Sequence, residues 1–161
     1  AVRPNFRGVG ESEGQFDHAV GETTDMLALV SQMRSHYGEL SGLPWVLAGF
    51  SFGTAVAAQV YAGLMQADDA NLPAALMLMG AAVQRFQAQE VDVPGDTLMV
   101  HGEQDDTVPL ADVLDWARPQ VWVLLGGCAL VATHLDVPSQ RDGRVLRLQA
   151  PVRVRTPAPT A

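Results

Sequence analysis

Trp45-Val46-Leu47-Ala48-Gly49-Phe50-Ser51-Phe52-Gly53-Thr54 decides how this chain is read. Gly42-Leu43-Pro44 marks a turn before it, and the short apolar run from Trp45 to Phe50 then predicts a buried strand. From Gly53 to Gln66 the pattern becomes helical. Ala55, Ala57, Ala58 and Ala62 supply a small-residue face that lets such a helix approach a sheet closely. Between the two lies Gly49-Phe50-Ser51-Phe52-Gly53, a G-x-S-x-G pattern. In a strand–turn–helix setting this is a nucleophile elbow, a sharp strained turn that lifts a serine hydroxyl out at the carboxyl edge of a sheet. Side chains at 49 and 53 are expected to clash with the strand and helix beside Ser51, and the helix N-terminus favours nearby negative charge. The alternative is an ordinary tight turn with an idle serine.

Working outward, residues 18–37 read as a helix, with Val20, Met26, Leu27, Val30, Met33 and Tyr37 on one face and Gly38 as a stop. Ala74 to Ala82 is a second apolar run whose Leu and Met content leaves strand and helix open. Asp96 to His101 predicts a strand after the Pro94-Gly95 turn. Leu110 to Arg118 predicts a short helix, and Val121 to Leu125 a further strand. Alternating apolar runs and helical stretches indicate an α/β chain with a mostly parallel sheet and helices on both faces. Val145-Leu146-Arg147-Leu148 is a weak strand pattern inside a tail, 137–161, that is rich in Arg and Pro. That tail is expected to be loosely ordered, beside a single domain over 1–136.

The chain has 161 residues, 48% hydrophobic and 17% charged, with a formal net charge of −8. This excludes a charge-rich disordered chain and argues against a general nucleic-acid binder. The charge is uneven: the tail carries five of the ten arginines and one acidic residue, and there is no lysine. No apolar run is long enough for a membrane helix and no secretory leader is visible, so a membrane association is not expected. One cysteine, Cys128, allows no internal disulfide and points to a reducing, cytoplasmic setting. No H-E-x-x-H, paired cysteines or Asp-rich calcium loop is present, and Gly8-Val9-Gly10 lacks the third glycine of a dinucleotide loop. Neither metal nor cofactor is expected.

A serine hydroxyl is a weak nucleophile until a base takes its proton. In sheets of this kind the order along the chain is Ser, then Asp or Glu, then His. Asp105 and Asp106, in His101-Gly102-Glu103-Gln104-Asp105-Asp106-Thr107-Val108-Pro109, follow a predicted strand and so reach the edge that carries Ser51. His134 is the histidine that keeps the order. His18 and His36 read as solvent-facing, and His101 as a residue that holds backbone.

Three segments resemble one family. Arg7-Gly8-Val9-Gly10-Glu11-Ser12 resembles the R-G-x-G-x-S segment of α/β-hydrolases, of the small bacterial lidless type related to dienelactone-hydrolase-like and serine-aminopeptidase-like enzymes. Gly49 to Gly53 resembles the family's elbow. His101 to Pro109 resembles its H-G-x-x-D-x-x-V-P segment, whose acid falls on Asp105. The resemblance implies a serine hydrolase cleaving an ester, thioester or amide of a small acyl substrate. Ser51 would be its nucleophile, Asp105 the acid, His134 the base, and the Phe52 amide an oxyanion donor. Serine at 51, where a haloalkane dehalogenase needs an acid, speaks against that reaction; acyl transfer stays open.

Two departures from the family shape a second reading. The family has further strands, and a second oxyanion loop, before the position of residue 1. Its histidine also falls near 129–130, where this chain has Ala129 and Leu130. An amino-terminally truncated core would account for the first departure, and either a change of frame or a natural truncation near residue 126 for the second. The alternative is then an inactive α/β-hydrolase-like fragment or binding module, with an exposed sheet edge prone to self-association.

Overall fold

The computed structural model describes residues 1–38, 42–86, 91–117, 122–126 and 146–147. Elements run α1 (Val20–His36), β1 (Val46–Phe50), α2 (Phe52–Gln66), β2 (Ala75–Met79), α3 (Val83–Phe86), β3 (Leu98–Gly102), α4 (Leu110–Ala117), β4 (Trp122–Gly126) and β5 (Leu146–Arg147). The five strands form one sheet in the order β1-β2-β3-β4-β5, and every pairing is parallel. The fold is therefore α/β, and all strands end at the same edge.

The ambiguous run at 74–82 resolves into a strand. Leu76 and Leu78 alternate inward and are 1% and 0% exposed, the period of a pleated surface rather than of a helix. The short helix α3 behind it has no sequence signal of its own. The loose-tail expectation falls on residues outside those described, apart from β5, which forms within the weak strand pattern at 145–148.

Helix α2 packs on β1 and β2, and its Ala55, Ala57 and Ala58 are all buried. Close approach is what small side chains permit, and burying the neighbouring Val56, Val60 and Leu64 is worth about 1.5–3 kcal/mol for each large side chain. Helix α1 packs on α2, but not through the whole face read from its spacing. Val20 and Tyr37 are 55% and 38% exposed, while Met26 and Leu27 pack against the core. The buried residues at its start are Gly21 and Glu22. The Arg7 guanidinium covers Gly21, its Nη1 lying 2.0 Å from where a Cβ on Gly21 would stand. Farther along, Leu27 fits over Gly63 of α2, whose absent Cβ leaves its Cδ1 room. The other face of β1 carries Val46 and Phe50, 60% and 72% exposed.

Two arginines tie the helical layer to its loops. Arg7 makes a two-pronged bond to Asp25, 2.8 Å on each prong. Arg34 bonds Asp69 at 2.6 Å and the Asn71 carbonyl, and its guanidinium stacks 5.2 Å from the centre of the Trp45 ring. Trp45 Nε1 donates to the same carbonyl at 3.1 Å, so the end of α1, the approach to β1 and the loop after α2 share one node.

These bonds hold carboxylates in their charged form. The Arg7 hydrogen bond depresses the Asp25 pKa, against some desolvation. The Asn71 backbone amide, then Arg34, do the same for Asp69. A depressed folded pKa contributes stability above the unfolded value, and that stability is lost as pH falls through the folded value. The urea midpoint is thus expected to hold from neutrality to about pH 5 and to fall below about pH 4. Circular dichroism at several pH values checks this, and a midpoint that rises between pH 5 and pH 3 contradicts it. Among the described residues no helix is long and apolar enough to cross a membrane.

Candidate active site

Ser51 stands between the last residue of β1 and the first of α2, with φ 50° and ψ −121°. A non-glycine residue at positive φ costs about 1–3 kcal/mol and persists only where its surroundings hold it. Here they do. The Ser51 amide donates to Met79 O of β2 at 2.9 Å, extending the ladder by one rung. The Ser51 carbonyl accepts from the Thr54 amide at 2.9 Å and from the Thr54 hydroxyl at 2.6 Å. Thr54, fully buried, in turn accepts from the Ala82 amide at 2.9 Å, locking the turn to the loop after β2. The Ser51 hydroxyl itself makes no capping bond to the helix.

The two glycines of the pattern are not equivalent. A Cβ on Gly49 would lie 2.2 Å from Gly53 O and 2.8 Å from Thr54 Cα, which backbone cannot yield to. A Cβ on Gly53 would meet nothing nearer than the Phe6 ring edge at 3.8 Å, an ordinary contact. The clash expected of both positions belongs to Gly49 alone.

Asp105 follows the carboxyl end of β3, and Ser51 that of β1. One strand, β2, lies between them, so the two backbones leave the same sheet edge roughly 10 Å apart by strand spacing. Asp105 Oδ1 accepts the Thr107 and Val108 amides, each at 2.9 Å. The Val108 amide lowers its pKa most, the Thr107 amide and nearby His101 add to this, and burial opposes it. Both amides use Oδ1, which leaves Oδ2 as the oxygen that can receive an imidazole N–H. Asp106 is exposed. His101 is buried and its Nε2 bonds the Val108 carbonyl at 2.9 Å, which shapes the same loop. His134 and Cys128 lie outside the described residues.

An aromatic group surrounds the elbow. The Phe52 ring, next in sequence to Ser51, meets Phe6 at 5.2 Å, Phe16 at 5.2 Å and Phe86 at 5.0 Å between centres. Spacing alone could not have found this, because the four rings come from three separate stretches of the chain.

Known proteins resemble this chain in its fold. No family model matches the chain. It is similar to an uncharacterised protein of Rickettsia prowazekii, 29% identical over 117 residues, which span 71% of this chain and 46% of that protein. Its fold is similar to the crystal structure of a Xanthomonas campestris protein described as an α/β serine hydrolase without lid. The TM-score is 0.63 at 31% identity, over 75% of this chain and 52% of that one. An α/β serine hydrolase homologue from Coxiella burnetii matches with a TM-score of 0.60 at 30% identity, over 78% of this chain and 57% of that one. The chain thus spans about half the length of the relatives it matches.

Proposed function

From a chain that carries part of an α/β-hydrolase-like fold, we propose a serine hydrolase that cleaves an ester, thioester or amide through an acyl-enzyme on Ser51. The observation that carries the reading is Ser51 itself, held at φ 50° between a parallel strand and a helix, with its hydroxyl making no capping bond to that helix. Its oxygen attacks the substrate carbonyl. His134 removes the hydroxyl proton and returns it to the leaving group. Asp105, kept ionised by its two amides, orients the imidazole and stabilises its charged form. The Phe52 amide, at the helix N-terminus, donates to the oxyanion. Water then cleaves the acyl-enzyme and regenerates Ser51.

A fluorophosphonate tests this directly, because it loses fluoride to an activated serine and leaves a stable phosphonyl adduct. One adduct per chain is expected, on the peptide containing Ser51, and none after heat denaturation. Absence of labelling on the folded chain, or labelling spread over other serines, favours an inactive fold.

A further inference from the structure

Resting on Ser51 as the nucleophile, we propose that Phe16 is the specificity wall of this site and selects a flat aromatic group on the substrate. Phe16 is 53% exposed. Its inner part is committed: it lies 5.2 Å from Phe52 and 6.4 Å from Phe86, and the His18 ring stands 4.8 Å away at a steep angle. The ring is therefore anchored within an aromatic group, while much of it stays open beside the residue that follows the nucleophile. Phe50, which precedes Ser51, is 72% exposed. Anchored rings with open faces and edges favour a partner ring in edge-to-face or offset contact.

The position of Phe16 is built, not incidental. Two consecutive residues after Asp17, His18 and Ala19, have φ of 50° and 75°. Such a turn needs an outside clamp. Glu22 is that clamp. It is 0% exposed, and its two oxygens accept the Asp17 amide at 2.8 Å and the Ala19 amide at 3.0 Å, one on each side of His18. Asp17 Oδ2 accepts the Gly21 amide at 3.0 Å and closes the turn. Glu22 is thus a positioning residue acting through Phe16, and glutamine cannot replace it, because its amide nitrogen would oppose one of the two N–H donors.

The test compares kcat/KM for ethyl phenylacetate and ethyl butyrate by acid release, so that the alcohol is constant. The wild type is expected to prefer the aryl ester. Phe16→Ala is expected to lower the aryl-to-butyryl ratio about tenfold, mainly through KM. Phe16 is half exposed, so this variant is expected to keep its fold, checked by circular dichroism. Met65→Ala, an exposed change at the far end of α2, is expected to leave the ratio at the wild-type value. Glu22→Gln is expected to lower the ratio in the same direction, and the double variant to be no worse than Phe16→Ala, since both act through one ring. A ratio unchanged in folded, active Phe16→Ala overturns the proposal. If the wild type turns over neither ester, the Ser51 reading has failed, and the wall is judged by phenylacetamide binding in a chemical-shift titration. Weakening of about tenfold in Phe16→Ala then upholds it; equal binding in the two proteins, or none to the wild type, overturns it.

Discussion

Ser51→Ala is expected to reduce ester hydrolysis by about 10³-fold or more, and Asp105→Asn by about 10⁴-fold, the size of loss when an amide replaces the carboxylate that orients a catalytic histidine. Both follow from position: the serine and the acid leave the same sheet edge, one strand apart, and Asp105 already has its other oxygen fixed by two amides. His134→Ala should match Ser51→Ala if that imidazole bridges them, because members of a triad act as a unit and their losses do not add. Initial rates with p-nitrophenyl acetate for the three single variants and the Ser51→Ala/His134→Ala double variant decide it. A His134→Ala rate equal to that of the wild type removes His134 from the mechanism, and an Asp105→Asn rate equal to wild type removes the acid. A wild-type rate no higher than that of Ser51→Ala would leave the fold without this chemistry.

Gly49→Ala and Gly53→Ala should separate sharply, although the two positions look symmetric about Ser51. At Gly49 the added methyl would be driven into Gly53 O, Gly53 C and Thr54 Cα at 2.2, 2.6 and 2.8 Å. None of these can swing aside without opening the turn that Thr54 and Ala82 close. The cost is about 3 kcal/mol, at the upper end of overpacking, and lowers the melting temperature by roughly 6–12 °C in a chain of this size. At Gly53 the methyl meets the Phe6 ring at 3.8 Å, and in a helix alanine replaces glycine with a gain of up to about 1 kcal/mol. Thermal melts of the two variants side by side make the comparison. Equal losses would show that the turn is not packed as described.

Local chemistry was enough for the sequence to specify the strand–turn–helix at Ser51 and the alternation around it. The apolar run at 46–50, the small-residue face of α2 and the G-x-S-x-G turn each depend on neighbours a few residues away. The position of Asp105 was legible for a similar reason, since a loop that follows a parallel strand must emerge at the shared edge. Elsewhere local signals were incomplete. Leu76 and Leu78 could have belonged to a helix until strands on either side imposed a period of two. Val20 and Tyr37 fitted the apolar face of α1, yet both are exposed and the buried residues at its start are Gly21, against the Arg7 guanidinium, and Glu22. Tertiary structure alone decided that Gly49 is the indispensable glycine, since the atoms it would strike belong to the following helix. It alone brought Phe16 against Phe52 and placed Glu22 beneath a strained turn. The Phe16–Phe52 contact joins stretches more than thirty residues apart, and only the order of the strands and the packing of α1 on α2 determine which distant side chains meet; Glu22 and Gly49 act on residues three to five away, and there the bends of the backbone decide the contact.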